Sequence, residues 1–457
     1  MAGYARTIDE LGELSAAEEQ LVDAACSGEV CRLGDGERPD GPSEERDIRA
    51  EVIRYLALGG CEERRVHENG IDLYGANITG QIDLANCEKV KPLGVMRSLV
   101  LDGIVASNAK FSDLFLNGSE CGSLNFQGAS FSGHLFLRKN FSCEGEVNLI
   151  GSTIKGQFNC NQSTLSNKNG FALTAENARF EGQFYWIKVT VLEGDVSFIR
   201  ARIDAILDDD ASWPSDGLFL DGLEYGTILG LDLNVEKRLS WLAKNKVTLG
   251  FEPQPYQQLA KVYGEMGHRR DRGTVLIEME NRLRNWQVSS MFDQASSPWA
   301  YLVAAFHWLI GKLAKWVVGY GHRPARSLIW AIGVILLTSL WAKSAWDEGS
   351  MTPSAAQVLV SSEWQELAGP DGSKTPGIIW SEKTEAGQDY ETFHPIAYAS
   401  DLFIPLVDFG QESAWAPSTN RGPWGWHLWW ARWFIEGFGW IITAMGAAAI
   451  TGFMRND

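Results

Sequence analysis

The chain has 457 residues, is 45% hydrophobic and 21% charged, and carries a net charge of −18 with seven cysteines. That length accommodates two or three domains. The cysteines form neither a CxxC pair nor a disulfide framework, which excludes a thiol-redox motif and a small disulfide-stapled fold. The acidity is unevenly spread. Residues 1–231 carry 20 basic and 36 acidic side chains (−16), residues 232–326 carry 14 and 8 (+6), and residues 347–425 carry 3 and 12 (−9).

The stretch Met1 to Glu19 is polar and acidic with no apolar run. No signal peptide is expected there, and the N-terminus is expected in the cytoplasm. Residues 8–28 read as a short acidic helix starting near the capping box Ser15-Ala16-Ala17-Glu18. The Gly-, Pro- and acid-rich residues 33–45 read as a loop. Residues 46–58 read as a helix with Ile48, Val52, Ile53 and Leu56 on one face. Residues 1–66 are expected to cap the next domain, because an uncovered β edge invites aggregation.

Residues 67–230 read as stacked β-rungs. Leu101, Ala106, Phe111, Leu116, Cys121, Phe126, Phe131, Phe136 and Phe141 fall five apart. A helix face needs spacings of three and four, and a strand needs two. Period five fits a square solenoid in which each five-residue side sends one apolar residue inward. A second pattern, apolar-x-Gly-x-apolar-x-apolar, recurs six times. It begins at Ile78, Phe131, Cys143, Ile154, Phe180 and Leu192. Gly suits a corner with positive φ, and the residues after it suit a short strand. Small residues two positions ahead (Ala76, Ala109, Ala129, Ser152, Ala178, Ala201) let the next coil pack closely. Cys121, Cys143 and Cys160 fill apolar slots and read as small hydrophobes. Asp208-Asp209-Asp210 could hold a divalent cation. A solvated loop is the favoured reading, because the spacing of a calcium loop is missing.

Residues 231–322 switch to helical periodicity. One helix places Tyr256, Leu259, Ala260, Tyr263 and Met266 inward and stops at Gly267; a second places Val275, Leu276, Met279 and Leu283 inward. Arg269, Arg270, Arg272, Arg282 and Arg284 are expected on the outer face, where anionic lipid would attract them. A nucleic-acid role is disfavoured because no nucleic-acid motif accompanies them. Residues 298–318 are aromatic and apolar but interrupted by His307, Lys312 and Lys315, and read as an interfacial helix. Val318-Gly319-Tyr320-Gly321 resembles part of a potassium filter, yet it precedes the first span and reads as a turn.

The first span is expected in residues 323–346, from Ser327 to Ala345, after Arg323 and Arg326. The second is expected in residues 427–457, from Phe434 to Phe453, after the belt Trp424, Trp426, Trp429, Trp430 and Trp433. The positive-inside rule then keeps both termini cytoplasmic and puts the acidic segment 347–426 outside. Asp401, Asp408 and Glu412 would face a pore if their segment dipped into the membrane; a small extracytoplasmic cap packed on the membrane surface explains the same residues and is the favoured reading. Glu436, inside the second span, is a gating candidate; four residues from Arg432, it is also a candidate for structural pairing. No HExxH, GxSxG, P-loop or dinucleotide fingerprint occurs, so no enzyme activity, metal or cofactor is expected.

Val66-His67-Glu68-Asn69-Gly70-Ile71 and Gly75-Ala76-Asn77-Ile78-Thr79-Gly80-Gln81-Ile82-Asp83-Leu84 resemble the opening of a bacterial family of membrane-anchored, pentapeptide-repeat-like proteins. Pro253-Gln254-Pro255-Tyr256-Gln257-Gln258-Leu259-Ala260, Gly319-Tyr320-Gly321-His322-Arg323-Pro324 and Thr451-Gly452-Phe453 extend the likeness over nearly the whole chain. The resemblance implies a cytoplasmic β-helix on two spans of the bacterial inner membrane, and no activity. The expected fold is mainly β: a right-handed quadrilateral β-helix with an N-terminal helical cap, a helical linker module and two transmembrane helices. The expected role is a scaffold or sensor whose solenoid binds a protein. The alternative is a homo-oligomeric two-span channel gated by the solenoid. A lower-ranked alternative, by likeness to soluble pentapeptide-repeat proteins, is DNA mimicry toward a topoisomerase.

Overall fold

The computed structural model describes residues 5–230, 233–246, 250–369 and 372–455. It divides into two compact units, Met1–Met279 and Glu280–Asp457. The first is a parallel β-solenoid of about seven turns with helices at both ends of its sequence. Helix α1 (Ala16–Ser27) carries the expected capping box, Ser15 and Glu18 each bonding the other's backbone N–H. Helix α2 is shorter than expected, Ala50–Ala57, because Ile48 belongs to the strand Asp47–Arg49. That strand and Cys31–Arg32 pair with Asn77–Thr79 and Ile71–Tyr74, so the rungs begin before residue 67. Glu18 is buried and accepts three bonds from Arg49, joining α1 to this first coil.

The inward ladder runs Leu93, Leu114, Leu135, Phe158, Phe184, Ile206, Ile228. The coil therefore takes 21 residues at first and lengthens later, so strict period five fails. Leu101 is 55% exposed, and Phe136 points outward between the buried Leu135 and Leu137. An extra residue enters at Leu101-Asp102-Gly103 and again at Ser132-Gly133-His134. Leu192, expected inside, is 65% exposed. Elsewhere the pattern holds: the small residues Ala76, Ala109, Ala129, Ser152, Ala178 and Ala201 are at most 1% exposed.

Of the six repeat glycines, Gly80 and Gly194 have the expected positive φ, whereas Gly133, Gly145, Gly156 and Gly182 do not. Gly133, Gly156 and Gly182 stack on one another, and a Cβ on Gly156 or Gly182 would run into the carbonyl of the glycine one coil earlier. Close approach of backbones, not positive φ, fixes glycine there. Most left-handed positions of the solenoid lie at two other corners, one at Asn86, Asn108, Gly128, Gly151, Asn177 and Arg200 and one at Arg97, Gly118, Lys139, Gln162 and Lys188. Gly182→Ala is expected to cost about 1–3 kcal/mol, the usual penalty of overpacking against atoms that cannot move aside. Urea unfolding followed by tryptophan fluorescence measures it.

After the last rungs come α3 (Val235–Ala243), α4 (Gln254–Glu265) and α5 (Arg269–Gln294). Tyr256, Leu259, Ala260, Tyr263, Val275 and Met279 face the core as expected. In the second unit, α6 (Pro298–Val318) ends at the turn Gly319–Gly321, where Gly319 and Tyr320 both have positive φ, and α7 (Ala325–Asp347) follows. Short helices α8 (Ala356–Leu359), α9 (Ser362–Ala368), α10 (Pro376–Lys383) and α11 (Glu385–Gln388) lead to α12 (Pro395–Phe403), α13 (Gln411–Ala414) and α14 (Pro423–Arg455). An aromatic cluster of Trp346, Trp364, Trp380, Tyr390, Phe393 and Trp415 fills the subdomain between α7 and α14.

Among the described residues, two helices are long and apolar enough to cross a membrane: Pro298–Gly321 and Ala325–Asp347. The first is the stretch expected at the interface. For the second expected span, the backbone is helical to Arg455, but the side chains at 450 and 452–457, including Phe453, lie outside the described residues.

Candidate functional site

Helix α12 packs along both α7 and α14. Phe393, just before it, stacks on Trp346 at 4.6 Å, and Phe403, at its end, joins the cluster of Ile442 and Val334. A Cβ on Gly439 would strike the Phe403 carbonyl, so this glycine lets α12 approach α14. The chain then turns back through Ile404 to Gly410 with Leu406, Val407 and Phe409 exposed.

The four expected pore residues separate into two pairs. Asp401 is buried and its oxygens accept the N–H groups of Phe409 (2.5 Å), Gln411 (2.7 Å) and Glu412 (3.2 Å). Asp408 accepts the Gly410 N–H at 2.8 Å. Both carboxylates hold the turn that leads into α13. Glu412 and Glu436 meet instead, with Arg432, Asp401 and Tyr398 beside them. Arg432 lies over the rings of Trp433 (4.8 Å) and Trp429 (5.3 Å); no ion pair joins it to Glu436 among the described residues. Tyr398 was not legible as part of this group, because α12 brings it there through tertiary packing.

Burial, then the Glu436 charge, pushes the Glu412 carboxyl above its ordinary value of 4.5; Arg432 opposes the shift, and Asp401 and the Glu436 hydrogen bond add to it. The sign follows. Stability from the neutral form is fully present below the ordinary value and is lost as pH rises through the raised one. Glu412→Gln is therefore expected to raise the thermal midpoint at neutral pH, to leave it unchanged below about pH 4, and to flatten its pH dependence. Melting curves of both proteins across that range test it.

The basic residues do not form one face. Arg269, Arg270 and Arg272 are exposed on α5. Arg282 is half-buried, and Arg284 sits 5.1 Å over the Tyr320 ring and 3.7 Å from Glu280, packed toward Gly311 of α6. Lys312 lies 5.7 Å over the Trp308 ring. Lys315 is in the last turn of α6, while Arg323 and Arg326 flank the start of α7.

In the first unit the three adjacent aspartates are each engaged, which corrects the solvated-loop reading. Asp208 is buried against Arg238, Asp209 caps the turn Asp210–Ser212, and Asp210 lies 3.4 Å from Lys244. No group of His, Cys, Asp and Glu fit to hold a metal ion occurs among the described residues. Burial raises the thiols of Cys121, Cys143 (to about 12) and Cys160, consistent with inert core residues.

Compared with protein-family models, with curated proteins and with solved structures, the chain gives no match. The likeness to membrane-anchored pentapeptide-repeat-like proteins therefore rests on its motifs alone.

Proposed function

We propose that the chain is a membrane-anchored scaffold or sensor that presents its solenoid to a protein partner in the bacterial cytoplasm. The observation that carries this reading is the surface of α7. Leu328, Ile329, Ile332, Leu336, Leu337 and Leu340 are each more than 50% exposed. A monomer in water rarely leaves such a patch uncovered, whereas lipid accommodates it. Along the solenoid the interior is filled by side chains at or near zero exposure, so recognition falls to its outer faces. We read it as a right-handed, four-sided β-helix whose first coil is closed by α1 and α2.

We assign α7 and α14 as the spans and α6 to the interface. The support is the packing of α5 against α6: Arg284 and Glu280 stand beside Gly311 and Tyr320. A spanning α6 would carry that charged helix into hydrocarbon, at a cost of about 2.5–3.5 kcal/mol per central charge. Both termini are then cytoplasmic and residues 347–426 external.

All seven cysteines lie between residues 26 and 160, which supplies the test. On right-side-out vesicles a membrane-impermeant maleimide should leave the native protein unlabelled and label the Lys374→Cys variant. Native labelling would reverse the orientation, and recovery of the protein in the soluble fraction would end the membrane reading.

The second reading, an oligomeric channel, draws on the course of α12 beside α7 and α14 and on the Glu412–Glu436 pair. Planar-bilayer conductance altered by Glu436→Gln would favour it; silence of well-folded protein favours the scaffold.

A further inference from the structure

Each rung of the solenoid alternates one inward and one outward residue. On the ladder of Leu114, Leu135, Phe158 and Phe184, the neighbouring positions are the half-buried Phe115, Phe136 and Tyr185, with the buried Asn159 between the last two, followed by the half-buried Leu207. Other ladders place Lys110, Ser130, Thr153 and Arg179, or Glu120, Ser142, Thr164 and Thr190, in the equivalent positions. One side alone among these is aromatic. Phe115 and Phe136 are 5.2 Å apart with tilted rings, and His134 stacks on Phe136 at 5.2 Å. Before Phe115 the same column runs through Gly94 to Asp72, and Tyr74 flanks it two residues further along that strand.

Cations border it. The Arg138 guanidinium rests 4.2 Å over the Phe136 ring and that of Arg32 rests 4.7 Å over Tyr74. Lys139 and Lys188 are exposed at the corner that follows. Arg97, at the same corner, is already paired with Glu37. The acid of the stripe, Asp72, has its carboxyl pKa raised by burial, against the opposing charge of Arg32. An apolar strip with a basic border, on a half-chain of charge −16, complements an acidic segment with apolar anchors.

Size selects among occupants. About seven coils at ~4.8 Å give a face ~34 Å tall, and the outward strip is one or two side chains wide, about 10 Å. A few hundred Å² falls short of the ~800 Å² per partner of a stable globular interface. It matches an extended peptide.

We propose that the stripe of Tyr74, Phe115, Phe136 and Tyr185, with Arg138 and Lys139 at its edge, docks a partner's peptide segment carrying apolar side chains flanked by carboxylates. The proposal rests on the scaffold reading and names the face and partner chemistry it would use.

The test is selection of a random dodecapeptide phage library on full-length protein in nanodiscs. Enriched peptides are expected to place Asp or Glu around Phe, Leu or Trp. A synthetic copy is expected to bind at least tenfold more weakly to Phe115→Ser/Phe136→Ser and to Arg138→Glu/Lys139→Glu. These side chains point outward, so both variants should keep the wild-type melting midpoint. If the Phe pair unfolds early, the Arg138/Lys139 pair decides. Absence of enrichment, basic consensus peptides, or equal binding to a folded variant would each overturn the proposal. So would sedimentation showing self-association abolished by the same substitutions, which would give the stripe to a second copy. Maleimide labelling as expected, together with failure here, would leave the membrane scaffold standing and remove only this face.

Discussion

Arg238→Met is expected to destabilise the solenoid unit by about 3–5 kcal/mol, the cost of leaving one partner of a buried ion pair alone. The Arg238 guanidinium donates two bonds of 2.7 Å to Asp208, and the Trp213 indole N–H donates a third, also 2.7 Å. The two side chains are 7% and 1% exposed. Without Arg238, Asp208 keeps an anion in a low-dielectric site with the indole donor and little solvent. The double variant Asp208→Leu/Arg238→Met is expected to recover most of the loss, because removing both charges also removes their desolvation cost. Trp186, Trp213 and Trp241 stack in this region, with rings 5.3–5.5 Å apart along the series, so urea unfolding followed by fluorescence reads it directly. A loss below about 1 kcal/mol would mean the pair behaves like a surface salt bridge.

This ion pair also marks where the sequence stops being legible. Asp208, Asp209 and Asp210 read as a solvated loop because local composition says nothing of Arg238, thirty residues on. The solenoid itself was legible, since each coil repeats the same packing problem and writes it as a period. Where the period breaks, at Leu101 and Phe136, one added residue turns a side chain outward, and at Phe136 the apolar character that suggested core instead contributes to a half-buried stripe on the outer face. Glycine identity was legible but its cause was not: Gly156 and Gly182 answer to a neighbouring coil's backbone, which no local pattern reveals. In the second unit, Asp401, Glu412 and Glu436 were singled out for charge in an apolar setting. That Asp401 caps a turn while Glu412 meets Glu436 depends on how α12 lies against α14, which is tertiary.

Leu337→Arg is expected to reduce membrane insertion of α7 by about 2.5–3.5 kcal/mol, the cost of an arginine near the centre of a span. The side chain is 69% exposed near the middle of Ala325–Asp347. The sign of the effect separates two worlds. On a water-facing surface the same change replaces an exposed leucine with a charge and should be neutral or improve solubility. In lipid it should shift the protein toward the alkali-extractable fraction by a factor on the order of a hundred, the equilibrium equivalent of that energy. The companion substitution Leu309→Arg on α6 tells interface from span. Leu309 is 49% exposed, and in an interfacial helix its arginine can reach the headgroups along its own stem, at small cost. Equal losses from both substitutions would make α6 a third crossing. The parity of crossings would then change, the two termini would lie on opposite sides, and the solenoid and the acidic subdomain would face the same compartment.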